Sequence, residues 1–199
     1  MKKRSDNRKS NQIRIIGGTH RSRVIQFPDQ AGLRPTSDRI RETLFNWLQE
    51  DLYNARCLDL FAGSGALGIE ALSRGAKHVQ FVESSVLAAT AIEQNLENLG
   101  LAQGGVSQCT AEQWLQQPEL NEIFDLIFID PPYADRKLES VCKLLQQSAS
   151  VRVGSKVYVE NGEAVNPAEL PVDWEMLKQK HAGQVQYYLF EVRAKETKE

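Results

Sequence analysis

Residues 57–68 constrain this chain more than any other stretch. Cys57-Leu58-Asp59-Leu60-Phe61 is a short apolar run of the kind that forms a buried strand. It passes through Ala62 into Gly63-Ser64-Gly65-Ala66-Leu67-Gly68 and then a helical pattern up to Arg74, which Gly75 ends. A strand, a glycine turn and a helix in that order open a βαβ unit, and the chain goes on to repeat the alternation. Strand patterns follow at His78–Glu83, Val106–Cys109, Asp125–Ile129 and Lys156–Glu160. Between them lie a helix with Ala88, Ile92, Leu96 and Leu99 in register up to Gly100, a short one near Glu112–Gln116, and one over 137–147. Trp174–His181 and Gln184–Val192 flank Ala182-Gly183 as an antiparallel hairpin. The expected fold is α/β and Rossmann-like: a mostly parallel, seven-stranded, doubly wound sheet with right-handed crossovers and an antiparallel C-terminal hairpin.

Ahead of this body, Ile13-Arg14-Ile15-Ile16 and Arg23-Val24-Ile25-Gln26-Phe27 read as two strands around Gly17-Gly18. Pro35-Thr36-Ser37-Asp38 offers helix N-caps, after which Ile40, Leu44, Trp47 and Leu48 form an amphipathic stripe with Trp47 as core. Three segments are expected: a basic, disordered tail over 1–11, a hairpin and helix extension over 12–50, and the α/β domain over 51–199. Charge follows the same division. Residues 1–41 hold eleven Lys/Arg and three acids, a net of +8, which leaves −10 for the rest of a 199-residue chain with a formal net charge of −2. A basic fifth on an acidic body points to a polyanionic partner, although −2 alone argues against one.

Gly63 to Gly68 satisfies G-x-G-x-x-G, and Glu83 follows Gly63 by twenty positions at the end of the next strand. That context also fits a dinucleotide fingerprint. In either case the glycines allow close backbone approach, and the second-strand acid accepts hydrogen bonds from ribose hydroxyls. Asp59 at the first strand tip separates the two readings. A carboxylate beside a pyrophosphate is repulsive, whereas it suits a ligand with a positive charge. S-adenosylmethionine has a sulfonium, an ammonium and no phosphate. A nicotinamide oxidoreductase is the weaker reading.

Asp130-Pro131-Pro132-Tyr133 directly follows Ile127-Phe128-Ile129, at the carboxyl end of the sheet, where open α/β folds bind ligands. The two prolines fix φ and stiffen the loop. Asp130 and the carbonyl between the prolines can accept hydrogen bonds from an exocyclic amine, and Tyr133 can stack on a planar base.

Asp59–Gly65 followed by Ile129-Asp130-Pro131-Pro132-Tyr133 resembles the class I S-adenosylmethionine methyltransferases that act on exocyclic amines of nucleic-acid bases. Leu33-Arg34-Pro35-Thr36-Ser37-Asp38-Arg39-Ile40-Arg41-Glu42-Thr43-Leu44-Phe45-Asn46-Trp47, together with Ile13–Gly18, narrows the resemblance to the RsmD family, bacterial methyltransferases of guanine N2 in 16S ribosomal RNA. It extends from about residue 12 to the closing hairpin. The resemblance implies methyl transfer to one guanine within an assembling small subunit. Asp130, Pro131, Pro132 and Tyr133 would then form the reaction corner. Asp59, Phe61, Ala62, Gly63, Ser64 and Gly65 would line the methionine end of the cofactor, Glu83 and Ser84 its ribose, and Ala111 and Glu112 its adenine. Arg14, Arg21, Arg23 and Arg34 are the candidate RNA contacts; for Arg34, as for Arg39, the sequence leaves open a place at the cofactor mouth instead.

The alternatives are a DNA adenine-N6 methyltransferase, which shares the D-P-P-Y corner but generally carries a separate DNA-recognition segment, and a non-catalytic RNA-binding assembly factor. Protein glutamine methylation is disfavoured because it typically uses Asn where this chain has Asp130. No metal site is expected, since His20, His78 and His181 are far apart. Cys57, Cys109 and Cys142 lack C-x-x-C spacing and read as small buried residues of a reduced, cytoplasmic protein. No apolar run reaches the roughly 18 residues of a membrane span, and the basic start precedes no hydrophobic segment of a secretory signal. A monomer is expected.

Overall fold

A computed structural model describes residues 10–29, 36–117, 122–132 and 137–194. The N-terminal strands β1 (Ser10–Arg14) and β2 (Val24–Pro28) pair antiparallel, and α1 (Asp38–Trp47) follows. The basic tail expected over 1–11 lies outside the described residues as far as residue 9, and Ser10 and Asn11 already belong to β1. The body then alternates through β3 (Arg56–Asp59), α2 (Ala66–Ser73), β4 (His78–Val82), α3 (Val86–Leu99), β5 (Gly104–Ser107), α4 (Ala111–Leu115), β6 (Leu126–Ile129), α5 (Leu138–Gln147) and β7 (Lys156–Asn161). Strands β8 (Trp174–Ala182) and β9 (Val185–Val192) close it. The seven strands run in the order β5-β4-β3-β6-β7-β9-β8, parallel except where β9 pairs with β7 and β8. This is the doubly wound sheet with an antiparallel edge that the sequence predicts.

Three strands differ from the sequence reading. β1 spans Ser10–Arg14 rather than Ile13–Ile16, since the polar Ser10, Asn11 and Gln12 pair with Pro28, Phe27 and Gln26. β3 stops at Asp59 rather than Phe61, because the chain crosses there from one neighbour to the other. The Leu60 N–H still bonds the Phe128 carbonyl, but the Ala62 N–H bonds that of Val82. β5 begins at Gly104 rather than Val106. Its glycines disguise it in sequence, and a Cβ on Gly104 would stand 2.7 Å from Leu96, so close packing on α3 excludes the side chains that mark a strand.

The hairpin and α1 build one face of the body. Ile13, Ile15, Ile25, Phe27, Ile40, Leu44, Phe45 and Leu48 lie in one apolar cluster with Ile69, Phe81, Phe128 and Tyr158. Ser37 caps α1 by accepting from the Ile40 N–H. Phe45 packs on Phe128 at 6.2 Å between ring centroids. Trp47 is half-buried rather than core, with Tyr187 beside it and the Lys180 ammonium over its ring. Cys109 is likewise only partly buried, whereas Cys57 and Cys142 are inside.

Glu70, in the middle of the otherwise apolar α2, is fully buried. It accepts the Ile16 and Gly17 N–H groups, each at 2.8 Å, and the Arg74 Nε at 2.6 Å. The Arg41 guanidinium is 3.6 Å from its other flank and also bonds Asp38 and the Arg14 carbonyl. Arg41 is 1% exposed. One of the arginines counted in the basic segment is thus an internal strut, joining α1 to α2. On α3, Asn95 both accepts from the Gln26 N–H and donates to the Gln26 carbonyl, so the outer edge of β2 is tied down as well.

Candidate active site

In each βαβ unit the helix runs back against its strands, so strand tips and helix N-termini meet at one edge of the sheet. Asp59, the glycine loop, Glu83, Ala111, Asp130 and Glu160 all come from that edge.

Asp59 does not face outward there. It is 2% exposed and accepts the Gly68 N–H at 3.1 Å. Gly68 is the third residue of α2, so Asp59 supplies from a neighbouring strand the cap that Gly65, lacking a side chain, does not. Burial raises its pKa to about 7, against the Gly68 hydrogen bond, which lowers it, and with Glu83 adding to the rise. Gly63 and Gly65 adopt φ of +52° and +76°, the left-handed region that favours glycine. Gly68 serves close packing instead, since a Cβ there would stand 2.2 Å from Phe81. Glu83 grips the loop by accepting the Gly63 and Ser85 N–H groups, each at 2.7 Å. Each carboxylate oxygen keeps a further lone pair for a diol. Ser64 and Ala62 are buried behind the loop, Phe61 and Gly63 are partly open, and Ser84 is exposed.

This donor set favours a phosphate-free ligand. The α2 N–H that a pyrophosphate would use is already taken by Asp59, and the acid itself would repel a diphosphate. Ala111 is buried at the start of α4, which Thr110 and Gln113 close with a capping box. Glu112 lies 3.6 Å from Lys137. Partial desolvation would raise its pKa, but bonds from its own N–H and from Thr110, with the Lys137 charge, bring it below the usual range.

Asp130 leaves β6 beside the glycine loop. Its Oδ2 accepts the Thr36 hydroxyl at 3.2 Å, a contact spanning 94 residues that brings the segment before α1 into the site. Enclosure of the carboxyl, then Glu160, pushes Asp130 well above the usual carboxylate range; Thr36 opposes this and Asp59 adds to it. Glu160 is 3% exposed and accepts the Tyr158 hydroxyl at 2.8 Å. Pro131 is buried and Pro132 exposed. Sequence reasoning missed Thr36 and Glu160 as partners of Asp130. A signal existed for Glu160: an acid two positions after a buried tyrosine at the end of an apolar strand. Tyr133 and Arg34 lie outside the described residues. An open groove of about 1030 Å³ between α5 and the β8–β9 pair is lined by none of these acids.

Arg14, Arg21 and Arg23 are exposed on the hairpin, but away from this edge. The hairpin turn bonds to the C-terminal ends of α2 and α3: the Thr19 N–H to the Ser73 carbonyl, His20 Nε2 with the Leu99 carbonyl, and Arg23 Nη2 to the Asn98 carbonyl. Those ends lie opposite the glycine loop. The eight-residue α2, which starts at that loop and ends at Ser73, puts about 12 Å between them at roughly 1.5 Å per residue.

A family model described as conserved hypothetical protein 95 matches residues 13–191. The chain is 39% identical over 193 residues to ribosomal RNA small subunit methyltransferase D of Haemophilus influenzae, covering 96% of this chain and 100% of that one. It is 40% identical over 185 residues to the protein of the same name from Escherichia coli K12, covering 93% and 92%. The solved structure of the Escherichia coli yhhF protein superimposes with a TM-score of 0.83 at 39% identity, covering 93% of this chain and all of that one. On the match from residue 13 to residue 191 and these near-full-length relatives, the chain belongs to the family described as conserved hypothetical protein 95, the RsmD family.

Proposed function

We propose that this protein methylates the exocyclic N2 amine of a guanine in small-subunit ribosomal RNA, with S-adenosylmethionine as the donor. The observation that carries the reading is the meeting at one sheet edge of the Glu83-braced glycine loop and the Asp130-Pro131-Pro132 corner. The names of the relatives support the RNA substrate.

Glu83, Ser84 and the Gly63–Gly65 backbone would hold the ribose and methionine parts, with Asp59 behind the loop and Ala111 and Glu112 at the adenine. The donor supplies a methyl group on a positively charged sulfur. A guanine amine is a weak nucleophile because its lone pair is delocalised into the ring. Asp130 and the Pro131 carbonyl would accept its two N–H bonds, favouring the tetrahedral nitrogen whose lone pair is free to attack. The stiff proline pair keeps those acceptors in place, so positioning supplies most of the rate. The target base must leave its stack to reach them, where Tyr133 would stack on it. The Arg14, Arg21, Arg23 and Arg34 set would bind phosphates of the surrounding RNA, in a protein acting as a monomer.

Asp130→Ala should lower methylation of ribosomal RNA by about 10²- to 10⁴-fold, the usual range for a positioned acid–base group. S-adenosylmethionine affinity, measured by calorimetry, should change little. Mass spectrometry of RNA digests identifies the product. Methylation by Asp130→Ala near the wild-type rate, or a product other than N2-methylguanine, refutes the assignment.

A further inference from the structure

β8 is the last strand of the sheet, and Lys178, Gln179, Lys180 and His181 on it are all exposed. No acid occurs from Met176 to Phe190, in a body that is otherwise acidic. Lys178 pairs with Leu189 and Lys180 with Tyr187, both members of the apolar cluster that α1 covers. Cross-strand partners share a face, so the two lysines project together on the α1 side of the sheet. The Lys180 ammonium lies 5.9 Å from the centre of the Trp47 ring, which stands 5.5 Å from that of Tyr187. Among the described residues Lys137, Lys143 and Lys156 are each paired with an acid, whereas neither Lys178 nor Lys180 is.

The ladder fixes where these two charges stand relative to the reaction corner. Ile129 pairs with Val159, so Asp130 and Glu160 leave β6 and β7 side by side. Glu160 in turn pairs with Tyr187, and Tyr187 with Lys180. Lys180 therefore lies in the same row of the sheet as Asp130, three strand spacings away, or about 14 Å of backbone separation at roughly 4.8 Å each. The arginines of the N-terminal hairpin turn stand at the other edge, on the ends of α2 and α3.

We infer that Lys178 and Lys180 form a second RNA contact, which holds backbone phosphates next to the target guanine on the α1 side of β8. The inference rests on the proposed function and says which way the strand carrying the target base leaves the corner. A base drawn out of its stack leaves its backbone at the rim of the site. Lysine suits that rim: its ammonium is a point charge with three donors, which grips phosphate and positions the strand without reading sequence. The Trp47 ring already restrains the Lys180 ammonium, so less side-chain freedom is lost on binding. Lysines on an edge strand also hinder pairing with other chains. That role alone predicts aggregation when they are removed, and leaves RNA binding as it was.

The test is filter binding of the full chain across a salt series, to unmethylated small-subunit ribosomal RNA and to unmethylated small subunits. Lys178→Gln combined with Lys180→Gln should weaken binding about tenfold at low salt. It should also lower the log–log salt slope by about two, one for each phosphate no longer bound. Lys178→Arg combined with Lys180→Arg keeps both charges and should bind within about twofold of wild type. Donor affinity by calorimetry should not change in either variant. A wild-type slope in the glutamine variant means that the lysines only guard the sheet edge, and overturns the inference. A slope lowered as much in the arginine variant traces the loss to altered structure rather than charge, and overturns it too. If the wild-type chain binds neither RNA nor subunits, the proposed function falls as well; binding and methylation by wild type with an unmoved variant slope removes this inference alone.

Discussion

Asp59 sets a pH dependence in the fold itself. Its folded pKa of about 7 lies above its ordinary 3.8, so between those values the folded chain keeps a proton that the unfolded chain has released. The stabilisation is fully present below about pH 4 and is lost as pH rises through 7. Asp59→Asn keeps an acceptor for the Gly68 N–H but does not titrate. Thermal midpoints measured from pH 5 to pH 8 should therefore fall less steeply in the variant than in wild type; equal slopes would show that Asp59 is not the titrating group. A cationic ligand beside Asp59 favours the ionised form and works in the opposite direction. The strand-tip acid was legible in sequence, but its direction was not. A carboxyl at that position serves a ligand or a helix N-terminus equally well on paper, and here it caps α2. The burial of Arg41 was hidden in the sequence for a related reason. Arg41 sits three, four and seven positions before Leu44, Phe45 and Leu48, so the buried stripe of α1 runs through it. Its partner, Glu70, is 29 residues away, and no local pattern announces it.

The hairpin and α1 are attached to α2 through that same carboxylate. Removing it leaves the Arg41 guanidinium buried beside two unpaired N–H groups, and such losses typically cost about 3–5 kcal/mol. Glu70→Ala should accordingly lower stability by that order in urea unfolding. It should also loosen Ile16 and Gly17 in hydrogen exchange before β6 or β7. A loss below about 1 kcal/mol would mean that the N-terminal elements hold by apolar packing alone. At this scale the sequence was most informative. Apolar runs located β4, β6 and β7 to within a residue or so, and Gly100 the end of α3, because buried parallel strands and one-sided helices leave strong periodic patterns. Boundaries slipped at β1, where polar residues carry the ladder, at β3, where the chain changes partners, and at β5, where glycine replaces the expected side chains.

Over the whole molecule, the basic hairpin turn sits on the C-terminal ends of α2 and α3, while the reaction corner stands at the strand-tip edge of the sheet, where the helices begin. Charge reversal at Arg21 and Arg23 should weaken RNA binding. It should also flatten its dependence on salt by about one unit of log–log slope for each phosphate no longer bound. Donor affinity should not change. Filter binding across a salt series checks this, and an unchanged slope would remove these arginines from the interface. The charge split pointed to a polyanion, but only the course of the chain put the positive turn at the far end.

The order of the sheet carries a last consequence, for the time at which the protein becomes an enzyme. β9 is inserted between β7 and β8, and its Tyr187 lies against Tyr158, the residue that holds Glu160. A nascent chain released before Val192 leaves β7 with an open flank and β8 with no neighbour. Translation must therefore pass β9 before the reaction corner has its floor. Copies that stop short of β9 would lack both that support and the stability of a closed sheet.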